Sequence, residues 1–302
     1  MVNTQFWWFF DVLTVAVIIG FVYASARKGL SKSFVITIGC IFSVVIGVLI
    51  SGSTAKFVYD SSVRVSNRNE IERRLDEFSF SEKLSAYLDG LDYNLKTNPE
   101  KIDEILKSGK GITSSLYAYA NNVNGIRVDT YDGFKANVNL GYARIMSDLL
   151  KNDIPDYAVS EIFEKSEKSS NVNDAMNIVA NSDVKTVSKY IEETYVEEIT
   201  TKVIRIATFL LFFIIFMIVA RLMSQGIGDK GIIGLTGTAN CIAGGIVGCI
   251  RVMFVMFVIC SAITFCIIAG NNKMMCFNKE TIDSTIIFKY IYNLKVYSID
   301  WA

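Results

Sequence analysis

Four apolar, almost uncharged stretches stand in two close pairs, one pair on either side of a long polar segment. The first pair occupies residues 6–26 and 33–55, joined by Arg27-Lys28-Gly29-Leu30-Ser31-Lys32. The second occupies residues 206–220 and 252–270. A bilayer core about 30 Å thick asks for about 20 mostly apolar residues per helical crossing, which is what such stretches offer. The expected fold is an all-α membrane protein with four transmembrane helices in two hairpins. Residues 1–55 form the first hairpin and 203–270 the second. Residues 56–202 form a large, mainly helical extracytoplasmic insertion, and 271–302 a short tail outside the cytoplasm or on the membrane surface.

Composition narrows the function classes. The formal net charge is zero, but residues 56–202 hold 19 Lys and Arg against 25 Asp and Glu. An acidic face repels a phosphate backbone, so nucleic acid is excluded as a partner. There is no histidine, which removes the commonest general base and metal ligand. The six cysteines form no CxxC pair and are absent from the insertion, so they read as small buried hydrophobes. No P-loop, GxGxxG or metal-ligand spacing occurs. No catalytic residue, cofactor or metal site is expected, and the chain is not expected to be an enzyme.

Residues 24–26, Ala-Ser-Ala, resemble a signal-peptide cleavage site. Residues 1–10 lack Lys and Arg, however, and Asp11 interrupts the apolar run, so an uncleaved helix is expected. The aromatic cluster Phe6-Trp7-Trp8-Phe9-Phe10 suits a membrane–water interface. Arg27, Lys28 and Lys32 make one short loop positive, and Arg221, Asp229 and Lys230 the other. Positive short loops face the cytoplasm, which makes these cations anchors and places both termini and the insertion outside. The setting is then the cytoplasmic membrane, crossed several times.

The insertion reads as helices. Ile71, Leu75 and Phe78 share a stripe, and Ser79-Phe80-Ser81-Glu82 fits a capping box. Pro99 and Pro155 suit first helical turns. Residues 184–223 contain no Pro or Gly, predicting one long helix that runs into the third apolar segment. Residues 121–141, rich in Asn, Gly and Asp, are expected to form a loop. Glu192-Glu193 and Glu197-Glu198 read as a solvated acidic face.

Small residues recur every four positions: Ala16, Gly20 and Ala24; Gly39, Ser43, Gly47 and Ser51; and Asn240, Gly244 and Gly248. In lipid, helices associate through close backbone approach along such stripes, so these are candidate packing residues. Residues 209–216 lack a stripe and are expected to face lipid. Asp11 and Arg251 are the candidate functional charges, since an ionised group at mid-membrane costs about 2.5–3.5 kcal/mol. Arg251 has two registers. A helix from near Ile242 buries it at mid-membrane. A helix from Val252 lets it reach headgroups, with residues 241–250 as a re-entrant hairpin, and this second register is preferred.

Asp11, the run Arg27-Lys28-Gly29-Leu30, the following Gly/Ser stripe, Gly234-Leu235, and Asn240-x3-Gly244-x3-Gly248 before Arg251 together resemble the colicin V production (CvpA) family of bacterial inner-membrane proteins. The resemblance covers residues 6–60 and 200–270, and the long insertion departs from it. It implies a role in toxin production or export and in envelope maintenance, without a defined biochemical activity. The expected function is a non-enzymatic scaffold that recruits an envelope protein or a second copy of itself, with the lipid bilayer as its other partner. The alternative is a small-solute or ion channel that uses Asp11 and Arg251.

Overall fold

The computed structural model describes residues 6–151, 154–169, 171–226 and 237–294, which form helices and turns with no strand among the described residues. The chain divides into two compact units, one of Met1–Val58 with Thr201–Ala302, the other of Tyr59–Thr200. Three helical stretches are long and apolar enough to cross a membrane: Trp7–Leu75, Val184–Gln225 and Gly237–Ala269. Asp229, Lys230 and Gly234-Leu235 lie outside the described residues.

The first unit is built on α1 (Trp7–Val58), α10 (Glu197–Gln225) and α11 (Gly237–Ala269). Gly29 breaks α1 with φ 72° and ψ 173°, a backbone conformation that side-chain-bearing residues rarely adopt. The chain folds back there. The Ser33 hydroxyl donates to the Ser25 carbonyl at 2.7 Å, whereas eight residues of uninterrupted helix would separate them by about 12 Å. Beyond the break, Gly39 faces Ala220 and Gly47 faces the Phe209 ring. Phe209 is buried against Phe257, with ring centroids 5.6 Å apart.

That burial corrects the expectation for residues 209–216, because one face of α10 packs inward. Its other face, with Leu211, Ile214 and Ile215, stays exposed, as do Ile19, Leu49 and Ile246 on the other two helices. Such apolar exposure suits lipid rather than water.

α11 also corrects the preferred register. It is continuous from Gly237, so residues 241–250 are helix and not a re-entrant hairpin, and Arg251 stands near its middle. Gly244 and Gly248 do not break it, because their bare faces are filled by α1, as shown below. The helix ends at Gly270, followed by Asn271 and Asn272 at φ 49° and 54°. Asn tolerates that left-handed region because its short amide bonds locally. The tail then carries the short helices α12 (Lys279–Asp283) and α13 (Phe288–Tyr292). Phe10 stacks on Phe288 at 5.2 Å and meets Phe277 edge-on at 5.8 Å, so the tail packs on the start of α1.

The second unit holds α2 (Arg64–Leu75), α3 (Phe80–Asp89), α4 (Pro99–Lys107), α5 (Ile112–Asn124), α6 (Tyr131–Leu150), α7 (Asp156–Lys168), α8 (Val172–Asn181) and α9 (Val184–Ile191). Local chemistry sets their starts. The Ser79 hydroxyl accepts from Glu82 N, and Asn98 caps α4 with Pro99 in its first turn. The expected loop at 121–141 shrinks to a connection between Asn124 and Tyr131. Thr130 caps α6 by accepting from Gly133 N at 3.1 Å. A Cβ at Gly141 would lie 2.5 Å from the Tyr87 ring, so that glycine permits close packing inside a helix. One buried apolar cluster, including Leu84, Leu88, Phe134, Tyr142 and Ile191, joins these helices.

Candidate functional site

The polar groups of the first unit converge where α11 crosses the break in α1. Arg251 is 3 % exposed. Its Nη2 donates to the Ser25 hydroxyl at 2.6 Å and to the Phe21 carbonyl at 3.3 Å. The guanidinium carbon sits 5.1 Å from the centre of the Phe21 ring, a cation–π contact. Both of these hydrogen bonds leave from Nη2 and run to groups of α1.

The glycines make this approach feasible. A Cβ at Gly244 would lie 2.7 Å from the Ser25 carbonyl oxygen and 3.0 Å from the Gly29 carbonyl carbon. One at Gly248 would lie 2.7 Å from the Ser25 Cβ and 3.2 Å from the Val22 Cα. Asn240 completes the contact, its Oδ1 accepting from Leu30 N at 2.7 Å just past the break. A side chain on Gly29 would collide with the Asn240 amide. Asn240, Gly244, Gly248 and Arg251 thus meet Leu30, Gly29, Ser25 and Phe21 in turn, one helix descending as the other rises.

The remaining small residues divide. Gly39 and Gly47 contact α10, and Ser43 and Ser51 are buried, bonded to carbonyls within their own helix. Ala16, Gly20 and Ala24 share a face of α1 that borders open space. They line a cavity of about 700 Å³, and a Cβ at Gly20 would have nothing within 4 Å. The face of α1 that does engage α11 is the neighbouring one, through Phe21, Val22 and Ser25.

Lys28, Arg221 and Arg251 also line that cavity, and among the described residues no carboxylate does. Of the other cations, Arg27 lies 5.8 Å from the centre of the Tyr23 ring and Lys32 is half-buried.

Asp11 is far from this contact in function. Its Oδ2 accepts from Ile286 N at 2.8 Å, and its Oδ1 accepts from Ile287 N and Phe288 N at 2.9 Å each. Three successive amides entering α13 are satisfied by one carboxylate, as in a helix cap.

The second unit holds a charge cluster that sequence spacing misjudged. Glu192 is fully buried, at 0 % exposure, and does not belong to a solvated face. It accepts from the Tyr59 hydroxyl and, at Oε2, from Arg68 Nε and Nη2 at 3.0 and 2.9 Å. Arg68 also bonds Glu193, Arg64 bonds Glu197 at 2.8 Å, and Lys165 bonds Glu198 at 2.5 Å. Glu192 and Tyr59 each open a π-helical turn, Glu192–Val196 and Tyr59–Val63. Burial first, then the bond to Glu192 and its charge, pushes the Tyr59 phenol far above its ordinary value.

Ser25, Phe21 and the amides of residues 286–288 were not singled out by spacing. Ser25 and Thr14 are the aliphatic hydroxyls of the first apolar stretch, which is the signal an arginine in lipid seeks.

The clasp of α1 and α11 lies partly in a segment with a recognised relative. Residues 178–295 match the family model described as Colicin V production protein. The match takes in α10, α11 and the tail, including Asn240, Gly244, Gly248 and Arg251. The Colicin V production resemblance drawn from the residues is borne out over this stretch. No curated protein and no solved structure matches the chain.

Proposed function

We propose that this membrane protein of the Colicin V production type is a scaffold, with four crossings in two hairpins and residues 59–200 held outside the cytoplasm to engage an envelope protein or a second copy of the chain. The observation that carries the reading is the contact at Arg251. The one guanidinium in the middle of α11, the hydroxyl of Ser25 and two glycines all act to hold helices together. Asp11 is likewise committed to backbone amides of the tail. Charges engaged in this way favour a rigid bundle over a polar conduction path. The family's description adds an association with colicin V production.

Crosslinking in the native membrane tests the proposal. Full-length protein should capture an envelope partner or itself, and a variant with residues 59–200 replaced by a flexible linker should not. Undiminished capture by that variant overturns the scaffold. Labelling of cysteines placed at residues 30 and 130 should report opposite compartments, and a shared compartment overturns the arrangement in hairpins. Ion or solute flux in liposomes that disappears with Asp11→Asn or Arg251→Leu would assign a channel instead.

A further inference from the structure

The cavity beside the α1–α11 contact has the chemistry of an amphiphile site. Its apolar wall comes from Ala16 and Gly20 on α1 and from Phe213 and Ile214 on α10. Further along each of those helices the lining becomes cationic, at Lys28 and at Arg221. α11 runs the opposite way and presents Val255 and then Arg251. Lys28 lies within electrostatic reach of both arginines. One end is therefore apolar, and the other carries three positive charges with no carboxylate among the described lining residues.

Lys28 and Arg221 are exposed while Arg251 is buried, so three like charges of differing hydration share one end of the site and an anion there would be attracted by all of them. Arg251 is buried, and its Nε has no hydrogen-bond partner among the described residues. A phosphate would neutralise the cluster and supply acceptors to it. The volume, about 700 Å³, lies within the range of small-molecule sites, about 300–1,000 Å³. The walls belong to helices that suit a bilayer, where basic pockets between spanning helices take lipid headgroups.

We propose that this cavity binds an anionic membrane phospholipid, with its phosphate held by Lys28, Arg221 and Arg251 and part of an acyl chain along Gly20. The occupant is a lipid and not a free anion, because the apolar wall would give a free anion nothing. The site does not depend on the scaffold reading.

The test uses the full chain in detergent, titrated with phosphatidylglycerol, with phosphatidylcholine of the same acyl chains, and with inorganic phosphate, and read by native mass spectrometry and thermal shift. Phosphatidylglycerol should bind and stabilise the protein, phosphatidylcholine should bind more weakly, and phosphate should not displace the lipid. Lys28→Gln and Arg221→Gln should each weaken phosphatidylglycerol binding about fivefold. Gly20→Leu, which enters open space, should weaken it without loss of helicity. Equal binding of the two lipids, displacement by inorganic phosphate, or unchanged affinity in the Lys28→Gln, Arg221→Gln protein overturns the proposal. Should that double variant not fold, Gly20→Leu decides: undiminished binding there overturns it.

Discussion

Arg251 Nη2 reaches the Ser25 hydroxyl at 2.6 Å across 226 residues of sequence, tying the middle of α11 to the last turn of α1 before its break. A charge-assisted hydrogen bond of this kind can persist in lipid because Gly244 and Gly248 let the two backbones come close enough to form it.

Ser25→Ala should therefore destabilise the bundle by about 1.5–3 kcal/mol, the range for a hydrogen bond to a charged group. Arg251→Leu should cost less in the Ser25→Ala background than in the wild type, as a thermal double-mutant cycle in detergent would record. Additive losses would show that the two side chains act independently.

Gly244→Val should prevent proper assembly, since its Cβ would press on the backbone of Ser25 and Gly29, which cannot move aside as a side-chain end can. Gly20→Leu, at a glycine of the same type facing open space, should leave the yield of monodisperse protein unchanged. Size-exclusion profiles of the two variants give the comparison.

Arg68→Ala removes the paired donor from a carboxylate with no exposure, and should cost about 3–5 kcal/mol. Arg64 Nε, 3.6 Å from Glu192, should hold the loss toward the lower figure. Lys101→Ala, which breaks the exposed pair with Glu104, should leave stability almost unchanged. Hydrogen exchange across α2 and α9 separates the two cases.

Stability should fall in alkali partly through Tyr93. Burial, and then its bond to Asp129 at 2.6 Å, pushes its phenol up to about 12. The folded protein thus holds this proton above the unfolded value of about 10. The contribution is complete below about pH 10 and is lost as pH rises through 12. Tyr93→Phe should flatten that part of a Tm profile taken from pH 8 upward.

Asp11→Ala should release the tail from α1, leaving three amides of residues 286–288 without their acceptor. Faster tryptic cleavage at Lys279 and Lys289, with the second unit unaffected, is the expected outcome.

The helical class and the apolar segments were legible because length and hydropathy are local properties of the sequence. So were the cap at Ser79, which bonds three residues on, and the first helical turn at Pro99. Partners distant in sequence were not. Glu192 looks as solvated as Glu193 and Glu198, whose side chains stay exposed, until Tyr59 and Arg68 arrive from far earlier in the chain. Gly141 looks like a loop residue until the Tyr87 ring fills the space beside it. Arg251 looks like a helix-terminal anchor unless Ser25 is known to face it. The stripe Ala16, Gly20, Ala24 has helical spacing but sits one face away from the contact that forms.

The bond from Asp11 to residue 288 spans 277 positions, so α1 acquires this ligand only after the intervening residues have been made. Until then the carboxylate must stay hydrated or find a temporary donor. A chain cut before residue 286 would lack all three amide donors and leave that carboxylate without them.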